Sequence, residues 1–177
     1  MKKILLLVLI LSSCAPVYIP NSRNSPMFQK GGEFQGSVSF GNGIEAQTAV
    51  SLTNHFGIMA NYLYLNQNAA DNNNAEDYRH HEFFEGGIGY FENQEKMFFE
   101  IFAGYGSGKG SGKNGFTISG QTLYAEGKYN RYFLQPAFGF NKKSMHISFV
   151  PRFSMVDFTE FTESGISYPI DEQPVFF

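Results

Sequence analysis

The sequence predicts an all-β protein: an antiparallel up-and-down β-barrel of about eight strands, or part of a larger one, behind a signal peptide and an extended tether. Three observations carry this. Apolar and polar residues alternate with period two in segment after segment, the pattern of strands with two unlike faces. The 177 residues include 20 Phe, 10 Tyr and 19 Gly. Aromatic residues favour strands, and glycines mark turns and crowded backbone. No stretch after the first turns of the chain sustains helical periodicity.

Met1, Lys2 and Lys3 form a positive start, Ile4 to Leu11 an unbroken apolar run, and Ser12 and Ser13 a small-residue site before Cys14. This is the three-part anatomy of a secretory signal. The apolar run is too short to cross a membrane as a helix, which needs about 20 residues. Residues 1–13 are therefore read as a lipoprotein signal peptide and Cys14 as the residue that becomes lipidated. Cys14 is the single cysteine of the chain, so no internal disulfide competes for it. Ala15 and Pro16 follow with no acidic cluster, which argues for an anchor in the inner leaflet. Residues 14–32 hold Pro16, Pro20 and Pro26 among small polar residues and read as the lipidated, extended tether. Residues 33–177 are the barrel domain.

Strands are expected at about Glu33–Phe40, Ile44–Leu52, Phe56–Asn66, Arg79–Phe91, Met97–Gly106, Leu123–Phe140 and Ser144–Phe158. Thr53–His55, Glu92–Lys96 and Asn141–Lys143 are short links. Gln67–Tyr78, Ser107–Gly120 and the stretch after Phe158 read as long loops. Short connections at one end and long ones at the other are the asymmetry of outer-membrane barrels, whose short turns face the periplasm. Gly41–Gly43 is short on the long side and weakens the pattern without breaking it.

Alternation assigns the faces. One face carries residues such as Phe34, Val38, Ile58, Phe84, Ile88, Leu134, Phe138 and Phe153, with Tyr62, Tyr64, Tyr90 and Tyr105 near strand ends. It suits lipid. The other face is polar, with Gln35, Gln47, Asn61 and Gln135. A soluble barrel would turn the first face inward and a membrane barrel the second. The signal, the loop asymmetry, the tyrosine girdle and strands of about 9–11 residues favour the membrane case. Glu45, Glu85, Glu100, Arg131, Arg152 and His146 then lie in the lumen. A small barrel has an interior that side chains fill, and unpaired buried ions are costly. These residues are expected to form a carboxylate–guanidinium network that plugs the lumen, not a catalytic set.

Other chemistry is weaker. Gly106–Lys113 departs from a phosphate loop, because Lys113 precedes Asn114 and no helix follows; it reads as a flexible loop. His80 and His81 are adjacent in a strand and point to opposite faces, so with Asp77 they make a poor metal site. No nucleophile motif is present. The formal charge of −3 becomes more acidic once Lys2 and Lys3 are removed, which argues against a nucleic-acid partner. No enzyme activity, cofactor or metal is expected.

The lipobox-like Leu11-Ser12-Ser13-Cys14 and strand endings such as Gly86-Gly87-Ile88-Gly89-Tyr90 and Pro136-Ala137-Phe138-Gly139-Phe140 resemble the small, lipidated outer-membrane β-barrel proteins common in Bacteroidota. The resemblance covers about residues 14–158 and brings no functional residues with it. Pro169, Asp171, Glu172 and Pro174 interrupt the pattern near the end, and Pro174–Phe177 looks like the opening of a further strand, as in a chain that lacks its closing strands. The expected protein is a lipid-anchored barrel in the cell outer membrane. Its partners would be outer-membrane lipids and, through the outer loops, a cell-envelope or extracellular protein. The alternatives are a soluble tethered barrel that binds an apolar ligand, and an outer-membrane enzyme acting on lipids.

Overall fold

The computed structural model describes residues 17–41, 43–70, 76–94, 96–114, 123–142, 145–168, 170 and 175–176, with backbone alone at a few strand ends. Residues 1–13, read above as a signal peptide, and Cys14 lie outside these residues. Every regular element described is a strand: β1 Phe34–Phe40, β2 Gly43–Ser51, β3 Phe56–Ala70, β4 Glu76–Gln94, β5 Met97–Asn114, β6 Leu123–Lys142, β7 Met145–Phe149, β8 Phe153–Glu163, β9 Ile166–Ser167 and β10 Val175–Phe176.

They form one antiparallel sheet in up-and-down order, β1-β2-β3-β4-β5-β6-β8-β10, with β7 also on β6 and β9 on β8. Among the described residues no pairing joins β10 to β1, so the sheet curls without closing. The fold class read from the sequence is the one observed. Val175–Phe176, read as the opening of a strand, pairs with Met155 and Val156.

The strand lengths differ from expectation. β3 to β6 run for 15, 19, 18 and 20 residues. The loop expected at Gln67–Tyr78 is largely ladder, since pairing continues to Ala70 opposite Glu76. The loop expected at Ser107–Gly120 is strand as far as Asn114, which pairs with Leu123. Polar composition marks these arms as solvent-facing, not as irregular. At roughly 3.3 Å per residue they reach well past a ~30 Å hydrocarbon layer, even when tilted.

The expected seventh strand is broken. Phe149 pairs with Phe138 and Phe153 with Leu134, so β7 and β8 share one register along β6. The gap sets Pro151 opposite Pro136. Neither has an N–H for the ladder, and the strand parts there. The continuation runs to Glu163, through a bulge beside Lys128, before Ser164 and Gly165 turn with positive φ of 49° and 84°.

The Gly106–Gly112 repeat, expected to be flexible, is a bed. Gly106, Gly108, Gly110 and Gly112 point inward while Ser107, Lys109, Ser111 and Lys113 point outward. A Cβ on Gly108 would lie 2.7 Å from the Tyr129 ring and 2.8 Å from Phe83. A Cβ on Gly110 would overlap the carbonyl oxygen of Val17. The missing side chains leave space for rings from β4 and β6 and for a passing chain, which is the close-approach use of glycine in a strand.

Candidate functional site

The inner face is polar and aromatic together. Asn61, Glu85, Glu100, Arg131 and Gln135 are buried there beside Phe83, Phe91, Phe102, Tyr129 and Phe133. The outer face of the sheet leaves Phe34 71 %, Ile88 71 % and Phe140 62 % exposed. The two faces therefore fall on the sides that the alternation assigned, polar inward and apolar outward.

Glu85 is the centre of the interior. One of its carboxylate oxygens accepts from Arg131 through Nε at 3.2 Å and through a very close Nη2. The other accepts from Arg152 Nη1 at 3.0 Å and from Asn61 Nδ2 at 2.8 Å. Two guanidinium groups thus face one carboxylate, and neutral acceptors take several of the remaining donors, while Arg152 Nη2 has no hydrogen-bond partner among the described residues. Gln135 Oε1 accepts from Arg152 Nε at 2.8 Å. Tyr18 Oη and Asn21 Oδ1 accept from Arg131 at 3.0 and 2.6 Å. Each guanidinium also lies over an aromatic face, Arg131 4.3 Å from the Phe83 centroid and Arg152 4.5 Å from that of Phe133. Planar guanidinium suits both contacts, where a lysine would suit neither.

The other residues expected in the lumen divide. Glu45 is half-buried at the β2 side, where it accepts from the backbone N–H of Ser22 at 2.6 Å and from Ser22 Oγ at 2.7 Å. Glu100 is buried and accepts from the backbone N–H of Phe28 at 2.6 Å. Its other oxygen has no hydrogen-bond partner among the described residues. Neither joins the Glu85 node. His146 pairs by backbone with Asn141, and its side chain lies outside what is described.

The segment read as a tether fills this interior. Residues 17–32 have no regular structure, yet they pass along the concave face as an extended strap. Val17 packs with Ala125, Phe158 and Phe161. Tyr18 meets Tyr129 edge-on at 5.1 Å. Asn24 donates to Asn61 at 2.8 Å and receives Gln135 on its carbonyl at 2.6 Å. Phe28 is 1 % exposed, packed between Phe91 and Phe102. A solvated linker has no use for Val17, Tyr18, Ile19 and Phe28, and that apolar content was the available signal. Sequence patterning missed these residues because an irregular strap has no period.

His81 is buried, with Nε2 2.8 Å from Tyr129 Oη, while His80 is exposed beside Tyr78. The two histidines point apart as their adjacency required. Among the described residues no group of three or more His, Cys, Asp or Glu is placed to hold a metal ion.

On the outer surface the apolar band ends in a charged row. Glu82, Lys109, Lys128 and Glu160 stand opposite one another across four strands. Glu82 pairs with Lys109 at 2.9 Å and Lys128 with Glu160 at 2.8 Å. Tyr62, Tyr105 and Tyr132 border this row on its apolar side. At the other rim Tyr90 stacks on His55 at 5.8 Å and donates to Glu92 at 2.8 Å.

No protein-family model matches the chain, and no curated protein or solved structure matches it.

Proposed function

We propose that this chain is a lipid-anchored β-barrel protein of the bacterial outer membrane, embedded by its strands, with a plugged lumen and a structural or interaction role through its long hairpins. The observation that carries the reading is the outward band of exposed apolar side chains, bounded by tyrosines and charged residues, around an interior of paired ions. Water-soluble proteins rarely leave so large an apolar surface uncovered. Outer-membrane barrels carry such a band between two aromatic girdles. The long arms of β3–β4 and β5–β6 extend past the band and offer a surface to a partner in the envelope or outside the cell. Cys14 takes the lipid in this reading, and the barrel is not an enzyme.

A soluble, ligand-binding barrel would need an apolar cavity, and here the strap and the Glu85 node occupy that space. Heat-modifiable migration of the detergent-extracted protein on a gel tests the proposal, with a folded form running faster than the boiled one. Release of the protein from membranes on Cys14→Ala substitution would sink the embedded reading and favour a merely tethered domain.

A further inference from the structure

The strap descends the interior in one direction. Val17 lies against Gly110, Ala125 and Gly127, next to the long hairpins. Tyr18 and Asn21 reach Arg131, Asn24 reaches Asn61 and Gln135, and Phe28 reaches Phe91 and Phe102. Gly31 then bonds Asn54 at 2.9 Å in the short β2–β3 link, and β1 starts there, with Phe34 opposite Val50. The contacts move down β6 from Ala125 through Arg131 to Gln135, then pass to Glu100 and Phe102 on β5 near its short-turn end. Each step is tied by a hydrogen bond or a packed ring, so the direction does not rest on one contact.

We infer that the chain enters the domain through the long-hairpin rim and is threaded through the interior before its first strand begins. Val17, where the described chain begins, therefore lies on the side opposite the short turns. Cys14 is three residues ahead of Val17, and three residues span at most about 10 Å. Resting on the membrane reading above, in which short turns face the periplasm, this puts the acyl anchor in the outer leaflet, on the cell-surface side. That is the opposite of the inner-leaflet anchor expected from Ala15 and Pro16. The threading itself does not depend on the membrane. The strap supplies acceptors to Arg131 and fills the glycine bed of β5, so the interior is complete only with the chain passing through it.

Two measurements on the full chain test this. Short epitopes are inserted after Pro16, between Asn73 and Asn74, and between Glu95 and Lys96, and antibody binding is compared in intact and permeabilised cells. The Pro16 and Asn73 epitopes are expected to be reached in intact cells and the Glu95 epitope only after permeabilisation. A Pro16 epitope that follows the Glu95 epitope while the Asn73 epitope does not overturns the inference. In detergent, with Cys14 replaced by Ser, the pair Val17→Cys and Ala125→Cys is expected to form a disulfide under mild oxidation in most molecules. The pair Val17→Cys and Ala49→Cys, at the other end of the strap, is expected to form none. Absence of the first disulfide, or formation of the second, overturns the threading. If the first forms while all three epitopes behave alike in cells, the threading stands and the membrane reading fails.

Discussion

On β4, Phe83, Glu85 and Phe91 face inward and are buried, while Phe84, Ile88 and Tyr90 face outward and are exposed. The same backbone thus presents two surfaces with different chemistry. Inside, burial makes an unpaired charge costly, and Glu85 has two guanidinium groups and an amide. Outside, the side chains over the middle of the sheet have no partner to find, and ions appear only where the band stops. Burial favours pairing around Glu85 on one face, and in the proposed membrane reading the other is uniform because lipid offers nothing to pair with. Polarity alone does not separate the faces, since five phenylalanines are among the buried inner residues: Phe28, Phe83, Phe91, Phe102 and Phe133.

The largest effect expected is on the inner node. Glu85→Ala leaves Arg131 and Arg152 buried without their carboxylate, and breaking such a pair costs about 3–5 kcal/mol. Urea unfolding of the protein in detergent would read this, and a loss under about 1 kcal/mol would mean that the node is wet. Phe28→Ala tests the strap as part of the core. Truncating a buried phenylalanine costs about 3–5 kcal/mol, whereas the same change in a free tether would cost nothing measurable. On the outer face, Leu134→Arg is expected to destabilise the protein in a bilayer by about 2–4 kcal/mol. An unchanged or more soluble protein after that change would mean that the face meets water. The smallest effects fall on Glu100 and Lys109, which stand apart from the inner node. Glu100→Gln keeps an acceptor for the Phe28 N–H and replaces a buried carboxyl that has no cation beside it among the described residues, so stability is expected to hold or rise. Lys109→Ala, in an exposed pair with Glu82, is expected to leave unfolding unchanged; a clear loss there would mean that the charged row is not at an aqueous rim.

Much of this contrast was legible in the residues. Alternation placed Phe84 and Glu85 on opposite faces, and the arginines among polar inner positions named both partners of Glu85. Three features were not legible. Gly106–Lys113 looked flexible because its glycines say nothing of the rings that lie on them. Gln67–Tyr78 looked like a loop because solvent-exposed strands and loops share a polar composition. Glu100 and Glu45 looked like members of an ion network, but alternation gives only the face, not the height in the lumen. Height follows from register, and register brought the strap's N–H groups, not arginines, to both carboxylates.

The sequence by itself determined the strand class, the up-and-down order and the two faces, because each depends on local period and on the length of the links. Only the tertiary structure decided the path of residues 17–32. That segment has no repeat and bonds to residues as far as 127 positions away, as Arg23 does to the carbonyl of Val150. Its place is set by the cavity that the glycines and the sheet's curvature leave open, and such a space exists only once the strands have come together.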